Sequence, residues 1–193
     1  MIKVFTVAEM VAAEKAADAS GVTSYPQMME TAGKAVAEAI RERYPVAGMS
    51  ILALVGPGNN GGDGLVAGRY LAEAGADVAF YLYKIRDAAQ DENYAKIMKM
   101  DLFAIEASLD QGYRTLRDRL AAADLVLDAL LGTGVTRPIG GELAHLMQQV
   151  WAGINGRSAQ RPNRVTLNRF SAAASPAKRP HHRGRRLPQW PQL

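Results

Sequence analysis

A run of glycine, asparagine and aspartate lies near the middle of the chain, over Gly56–Gly64 (Gly-Pro-Gly-Asn-Asn-Gly-Gly-Asp-Gly). Its five glycines leave backbone N–H groups uncovered, so the phosphate of a nucleotide can approach the main chain closely. The spacing also satisfies the dinucleotide-binding pattern Gly-x-Gly-x-x-Gly. The apolar segment Ile51–Val55 precedes the run and an Ala- and Leu-rich stretch follows it. This context predicts a strand, a tight turn and a helix N-terminus that bind an anion.

Three polar side chains within the run, Asn59, Asn60 and Asp63, distinguish it from an ordinary diphosphate-binding turn. A carboxylate in the first helical turn would repel a diphosphate that lies on the same amides. These side chains therefore suit a ribose, an amide or a cation. The alternative interpretation is a glycine turn that joins a strand to a helix without binding a ligand.

A second candidate site follows the apolar segment that ends at Asp128. A carboxylate in such a segment is costly unless it is paired or coordinated. If the two strands are neighbours, Asp128 can converge with Asn59–Asn60, whose oxygens would suit an alkali or alkaline-earth cation. Alternatively, Asp128 only caps local backbone amides. The turn Gly132–Gly134 and the guanidinium of Arg137 would provide a second phosphate-binding group.

Basic residues, Lys84 and Arg86, lie about 20 residues after the glycine run, where an NAD-binding domain would place an acid for the ribose. A basic residue there favours a phosphorylated ribose or a role for Lys84 in the chemistry. Solvent-exposed charges at the end of a strand are the alternative interpretation.

The elements that must position these residues alternate between helix and strand. Two N-terminal helices are predicted over Thr6–Ala17 and Gln27–Arg43, because apolar residues recur there at helical spacing. Strands and helices then alternate, which predicts a parallel sheet with helices on both faces and ligands at the carboxyl ends of the strands. The predicted strands are Ser50–Val55, Asp77–Tyr83, Leu102–Ile105 and Asp124–Leu130; the helices between and after them are Gly64–Ala74, Asp91–Met100, Gly112–Ala122 and Gly141–Trp151.

Composition fits one globular domain, because 48% of the 193 residues are hydrophobic and 22% are charged. The absence of cysteine excludes disulfides, zinc-thiolate sites and thiol nucleophiles. The sequence has no apolar stretch of the roughly 18 residues that a membrane span needs, which predicts a cytoplasmic protein without a membrane partner.

Charge divides the chain at Arg157. The preceding residues contain 14 basic and 19 acidic side chains, whereas the residues from Arg157 onward contain nine basic side chains and no acid. The second segment has few aromatic residues, so a nucleic-acid partner is not expected.

The first 156 residues resemble the NAD(P)H-hydrate epimerase family, the YjeF N-terminal domain. The resemblance rests on Met28–Gly33, Gly56–Gly64 and Asp128–Gly134 (Asp-Ala-Leu-Leu-Gly-Thr-Gly), in the family's order and spacing. It implies a Rossmann-like αβα sandwich, often a homodimer. It also implies an isomerase of nicotinamide nucleotide repair that interconverts the R and S epimers of hydrated NADH and NADPH (NADHX and NADPHX). An ADP- or ATP-dependent NAD(P)H-hydrate dehydratase, fused or separate, would then restore the cofactor.

The resemblance also implies the site residues. Asn60 and Asp128 would bind potassium. Because the aspartate that transfers a proton in the family is absent from this sequence, Lys84 and Asp63 are the candidates for that role. The residues that would contact the hydrated dinucleotide are Asn59, Asn60, Gly61, Gly62, Asp63, Gly132, Thr133, Gly134, Val135, Thr136, Arg137 and Pro138.

The sequence departs from the family after Gly156. The family continues into a strand ending Asp-Ile-Pro-Ser-Gly, whose aspartate is the expected acid or base and whose serine is a further potassium ligand. Residues 157–193 contain five prolines and no acid, so they predict a disordered basic tail that leaves the last strand missing and the sheet edge beside Asp124–Leu130 open. We interpret the tail as a truncation or a shifted reading frame. The alternative function is a catalytically impaired nucleotide-binding or scaffold module.

Overall fold

The computed structural model describes residues 4–136, 138–158 and 165–168. These residues form an α/β fold in which two initial helices are followed by five strands that alternate with four further α-helices. The elements are α1 (Val7–Ala19), α2 (Tyr25–Arg41), β1 (Ser50–Val55), α3 (Asn59–Glu73), β2 (Asp77–Leu82), α4 (Glu92–Lys99), β3 (Phe103–Glu106), α5 (Arg114–Ala122), β4 (Leu125–Ala129), α6 (Gly141–Ser158) and β5 (Val165–Asn168).

The sheet is parallel throughout, with the strand order β3-β2-β1-β4-β5. The chain adds β2 and β3 on one side of β1 and then crosses to add β4 on the other side. The strand order therefore reverses between β1 and β4, and ligands of such sheets bind in the crevice beyond the carboxyl ends of the strands at this point. The predicted α/β class and parallel sheet are confirmed.

Helices cover both faces of the sheet. Side chains of α2, α3 and α4 pack on one face with Ile51, Ala53 and Val55. Side chains of α5 and α6 pack on the other face with Leu52 and Leu54. Alternate residues of β1 thus enter opposite cores, which is the pattern of a strand buried on both faces.

Helix α3 begins five residues earlier than predicted, at Asn59 instead of Gly64. Intrinsic propensity argues against a helix through so many glycines, but close packing overrides it. A Cβ at Gly64 would lie 2.4 Å from the Cβ of Ala129, so glycine lets α3 approach β4. The residues Asn59–Asp63 are therefore the first turn of the helix rather than a loop before it.

Helix α1 lies outside both cores and has no buried residue. It begins with the predicted capping box, in which the Thr6 hydroxyl and the Glu9 carboxylate each accept from the other residue's backbone N–H. Its apolar side chains Val7, Met10 and Val11 are exposed. Within the part of the chain that the structure describes, no helix has the length and apolarity needed to span a membrane.

The prediction that the basic tail supplies no strand is wrong at Val165–Asn168. These residues form β5, which pairs with β4 in parallel register from Leu125↔Val165 to Asp128↔Asn168. A short strand needs mainly the free N–H and C=O groups of its neighbour, and a Val-Thr-Leu segment suits that role despite the surrounding arginines. The edge of β4 is therefore covered along these residues. The predicted tail began at Arg157, but α6 continues to Ser158. The predicted disorder of residues 159–164 and 169–193 falls outside the described residues.

Candidate functional site

Two loops meet at the carboxyl ends of β1 and β4. The Gly56 N–H donates to the carbonyl of Ala129 (3.0 Å), which continues the pairing of the two strands into the glycine run. A Cβ at Gly56 would lie only 1.8 Å from the Leu130 carbonyl oxygen, so the two loops touch through their main chains. The condition for convergence of the two predicted sites, that their strands are neighbours, is met.

The first turn of α3 presents free amides to this crevice. Gly58 is the N-cap residue, in extended backbone, and contributes no side-chain hydrogen bond. The first intrahelical bond of this end runs from the Gly62 N–H to the Gly58 carbonyl (3.2 Å). The N–H groups of Asn59, Asn60 and Gly61 precede that bond and have no partner within the helix, which makes this end suitable for an anion.

Asn60 connects the helix to the second loop. Its Nδ2 donates to the Leu131 carbonyl (2.9 Å), an amide orientation that leaves Oδ1 as an acceptor. A Cβ at Gly132 would lie 3.2 Å from the Asn60 Cβ, so Gly132 also lies against this side chain. The structure therefore brings Asn60 and Gly132, both predicted site residues, into direct proximity.

Asp128 lies near the end of β4, opposite Leu54 of β1 and three residues before Leu131. Its Oδ1 accepts from the Leu130 N–H (3.0 Å), as the capping interpretation predicted. Burial raises the pKa of the Asp128 carboxyl, and the hydrogen bond from Leu130 only partly opposes that shift. The carboxylate is thus held in an environment that disfavours its charge.

The oxygen atoms of Asn60 and Asp128 are of the chemical kind that a potassium ion takes as ligands. An alkali cation takes oxygen ligands, and the Asp128 carboxylate and Asn60 Oδ1 supply them beside the carbonyls of the second loop. A cation would also offset the cost of burying the Asp128 charge. Among the described residues, no group of three or more His, Cys, Asp or Glu side chains offers a transition-metal site.

The other predicted contact residues are distributed around the crevice. Asn59 is exposed and Asp63 half-buried on α3, and Gly61 and Gly62 are buried beneath them. In the second loop Gly132 is half-buried. The exposed residues of that loop are Thr133, Gly134, Val135, Thr136 and Pro138. Arg137, predicted as a phosphate-binding group, lies outside the described residues.

Lys84 follows β2 and forms an ion pair. Its Nζ lies 2.6 Å from a carboxylate oxygen of Glu142, at the start of α6. The hydrogen bond that Lys84 donates to the Glu142 carboxylate raises the pKa of Lys84, so the side chain is an ammonium ion at neutral pH. Because the Lys84 side chain is 48% exposed, this pair is weakly stabilising. Lys84 can donate a proton but cannot act as a base without losing this pairing.

Arg86 is the site residue whose role sequence reasoning missed. Its Nη2 donates to the carbonyls of Gly56 (2.9 Å) and Gly58 (2.7 Å), and its Nε also points to Gly56. The side chain is only 10% exposed and pairs with Asp91 through Nη1. The available signal was a basic residue just after a strand, which equally describes a solvated arginine.

Gly61 is required by the loop itself. A Cβ there would lie 2.0 Å from the Gly56 carbonyl oxygen and 2.7 Å from Arg86 Nη2. A larger residue at this position would therefore displace the loop and the guanidinium, in addition to obstructing a ligand. We therefore expect Gly61→Val to weaken ligand binding in two ways, by obstructing the approach to the backbone and by distorting the loop of the free protein.

Comparison with known proteins places this geometry in a family. Residues 26–159 match the family described as YjeF-related protein N-terminus. The chain is 40% identical over 147 residues to the NAD(P)H-hydrate epimerase of Rhodobacter capsulatus, covering 73% of this chain and 67% of that protein. It is 37% identical over 123 residues to the NAD(P)H-hydrate epimerase of Limosilactobacillus fermentum, covering 64% and 56%.

Longer relatives give the same assignment, and a solved structure has a similar fold. The bifunctional NAD(P)H-hydrate repair enzyme Nnr of Thermofilum pendens is 40% identical over 134 residues, 67% of this chain and 24% of that protein. The chain thus spans between about a quarter and two thirds of these relatives. The crystal structure of yeast YNL200c shares the fold, with a TM-score of 0.68 at 22% identity, over 80% of this chain and 67% of that one. The chain belongs to the YjeF N-terminal family.

Proposed function

We propose that this chain is an isomerase that interconverts the epimers of NADHX and NADPHX. The observation that carries the proposal is the contact of the α3 first turn with the loop after β4 at the strand-order reversal, through Asn60 and Leu131. Free helix amides, amide side chains and a turn of small residues there suit a dinucleotide. The names of the relatives at about 40% identity supply the substrate class.

The proposed ligand contacts divide between the two loops. The α3 side supplies Asn59, Asn60, Gly61, Gly62 and Asp63. The second loop supplies Gly132, Thr133, Gly134, Val135, Thr136 and Pro138, together with Arg137. The backbone N–H groups of the helix turn would hold phosphate oxygens, and the polar side chains would orient the ribose and the hydrated ring.

We also propose a potassium ion held by Asn60 and Asp128. When bound, it would supply positive charge beside the dinucleotide phosphates and compensate the carboxylate. The Asp128 carboxylate accepts a hydrogen bond from the Leu130 N–H, and this bond would orient it for the ion.

Proton transfer at the hydrated ring carbon needs a nearby acid or base, which typically contributes 10² to 10⁴ in rate. The chain has no acidic residue after Glu142 that could replace the aspartate of the family's last strand. Lys84 is the candidate for this group. It would act as an ammonium ion that donates a proton, and the Glu142 carboxylate is its ion-pair partner. Lys84→Met should then lower kcat by at least a hundredfold.

A homodimer and a dehydratase partner complete the proposal. The exposed apolar side chains of α1, which has no buried residue, support a second copy as the partner of that helix. The bifunctional relatives support a dehydratase that acts on the same substrate. The absence of cysteine supports a reducing compartment such as the cytoplasm. Light scattering and co-purification test the first two.

The function is tested with one purified epimer of NADPHX. We expect the chain to produce the other epimer faster than the spontaneous reaction, and Asn60→Ala to reduce this rate. Calorimetric binding of NADPHX without any acceleration would instead support the alternative, a catalytically impaired binding module. If the chain neither binds NADPHX nor accelerates its epimerisation, both proposals are contradicted.

A further inference from the structure

Arg86 follows β2 and contacts the main chain of the glycine run. Its guanidinium contacts the carbonyl oxygens of Gly56 and Gly58, the two glycines that flank Pro57. Both contacts join a charged donor to a backbone acceptor, and such bonds are stronger than neutral ones. They also link the residues just after β2 to the N-terminal turn of α3.

The other end of the guanidinium is fixed by Asp91. One carboxylate oxygen of Asp91 pairs with Arg86 Nη1, and the other accepts from the N–H groups of Asn93 (3.1 Å) and Tyr94 (3.0 Å) at the start of α4. The ion pair is largely shielded, with 10% and 19% of the two side chains exposed. Arg86 is therefore held in a single orientation from both sides.

The contact with Gly58 determines where an amide points. In a trans peptide the C=O and the following N–H point in opposite directions. Because Arg86 draws the Gly58 carbonyl towards itself, the N–H of Asn59 faces away, towards the crevice. The same carbonyl also accepts the first intrahelical bond from Gly62 (3.2 Å), so Arg86 and the helix share it.

We infer that Arg86 is a positioning residue that holds the N-terminal turn of α3 in the shape that receives the dinucleotide phosphates. The identity of the ligand rests on the proposed function, whereas the contacts of Arg86 are observed independently of it. Nε, Nη1 and Nη2 of Arg86 all have partners already, so the guanidinium acts on the loop rather than on a phosphate. For Arg86, these contacts argue against the interpretation that a basic residue here serves a phosphorylated ribose.

Hydrogen exchange of the free protein tests the positioning directly. In Arg86→Met, we expect the hydrogen-bonded amides at the start of α3, Gly62 first among them, to exchange about tenfold faster, because the Gly58 carbonyl that accepts from Gly62 loses its anchor. Arg86→Lys should restore little of this exchange protection, since an ammonium cannot reproduce the contact of the planar guanidinium with both the Gly56 and Gly58 carbonyls. The matched control is Arg119→Met, at the opposite edge of the sheet, where Arg119 lines a small cavity with Ser50 and Asp77 at the starts of β1 and β2. It should leave these amides unchanged.

Binding of NADPHX gives the second readout. We expect Arg86→Met to raise the Kd and KM about tenfold while kcat changes less than threefold, because positioned amides bind ground state and transition state alike. In Arg86→Ala, millimolar guanidinium chloride should recover part of the affinity and of the exchange protection. An unfolding midpoint close to that of Arg119→Met confirms that the variant is folded.

The outcomes separate the inference from the proposed function. Unchanged exchange in a folded Arg86→Met would overturn the positioning role, and weakened binding with unchanged exchange would make Arg86 a direct ligand contact instead. Faster exchange with unchanged NADPHX affinity would support positioning and contradict the use of this loop by the dinucleotide. Failure of the wild-type protein to bind NADPHX would contradict the proposed function, while the exchange result would still decide the inference.

Discussion

Two aspartates near the carboxyl edge of the sheet differ in how the fold satisfies them. Asp110, after β3, is 7% exposed and accepts from the Thr115 N–H (2.9 Å), the Leu116 N–H (2.9 Å) and the Tyr81 hydroxyl (3.1 Å). Asp128 accepts one hydrogen bond among the described residues, from Leu130. The Asp110 carboxylate thus has three hydrogen-bond donors within the protein, whereas the Asp128 carboxylate has one among the described residues.

The pKa of each carboxyl reflects this difference. Burial acts to raise the pKa of Asp110, but the backbone N–H groups of Leu116 and Thr115 and the Tyr81 hydroxyl outweigh it, so that pKa is lowered. At Asp128 burial prevails and the pKa is raised. A carboxylate with three donors stabilises the fold, whereas one with a single donor is available for a ligand such as a cation.

The largest effect is expected on removing Asp110. Asp110→Ala leaves the Tyr81 hydroxyl and the first amides of α5 without their partner, which should cost about 3 kcal/mol of unfolding free energy. Denaturant unfolding measures this. Asp118→Ala, on the exposed side of α5, is the control and should be near neutral. An equal cost in both variants would mean that Asp110 is no better satisfied than a surface carboxylate.

The lowered pKa fixes the sign of the pH dependence at Asp110. Its contribution is present above the pKa that an aspartate has in the unfolded chain, about 3.9, and is lost as pH falls through the lower folded value. Asp110→Asn should therefore be less stable at neutral pH and should lose part of the acid-induced decline. A wild-type acid limb that the variant reproduces unchanged would contradict this assignment.

Potassium should give the next largest effect, and it acts through Asp128. An ion present at ten times its Kd stabilises the folded state by about 1.4 kcal/mol, which thermal unfolding in potassium and sodium chloride at equal ionic strength measures. Asp128→Asn should abolish the difference between the two salts. Equal stabilisation by both salts in the wild-type protein would contradict a selective site.

Asp128→Asn without potassium should have a smaller effect, and of opposite sign to the loss at Asp110. Because the pKa of Asp128 is higher in the folded protein than in the unfolded chain, the wild-type carboxyl lowers the free energy of unfolding as pH rises from its unfolded pKa to its folded pKa. The variant should match the wild type in acid and become slightly more stable at neutral pH, within about 1 kcal/mol. A clear destabilisation at neutral pH would show that Asp128 is as well satisfied as Asp110.

The smallest effect on stability is expected at the exposed ion pair of Lys84 and Glu142. Lys84→Met and Glu142→Gln should leave the unfolding midpoint unchanged, because exposed pairs gain little in water. A fall in kcat for Lys84→Met with an unchanged midpoint would assign the residue to chemistry. A lowered midpoint in both variants would assign the pair to the fold.

The sequence predicted the larger features because each was carried by a repeated pattern. Alternating apolar strands and amphipathic helices define the parallel sheet, and Gly56–Gly64 and Asp128 identify the two loops. The first turn of α3 was missed because helix propensity opposes a glycine-rich start, and only packing against Ala129 and its neighbours reverses that preference.

Two other features depended on partners that the sequence does not identify. Arg86 acts through carbonyl groups 28 and 30 residues earlier, and no local pattern indicates which way an arginine turns after a strand. Strand β5 lies in a segment whose composition predicts disorder, yet four residues suffice once β4 provides a paired edge. In both cases the decisive interaction was with the main chain of a distant element.

The glycine content of α3 also has a consequence for how the protein folds. Gly61, Gly62, Gly64 and Gly68 each cost roughly 1 kcal/mol relative to alanine in an isolated helix, so the helix is unstable without the sheet and α2 against it. Alanine cannot relieve this cost at Gly68, because its Cβ would lie 2.5 Å from the Phe80 ring. We therefore expect α3 to form late, after the strands have assembled, with the ligand-binding turn among the last segments to acquire its native conformation.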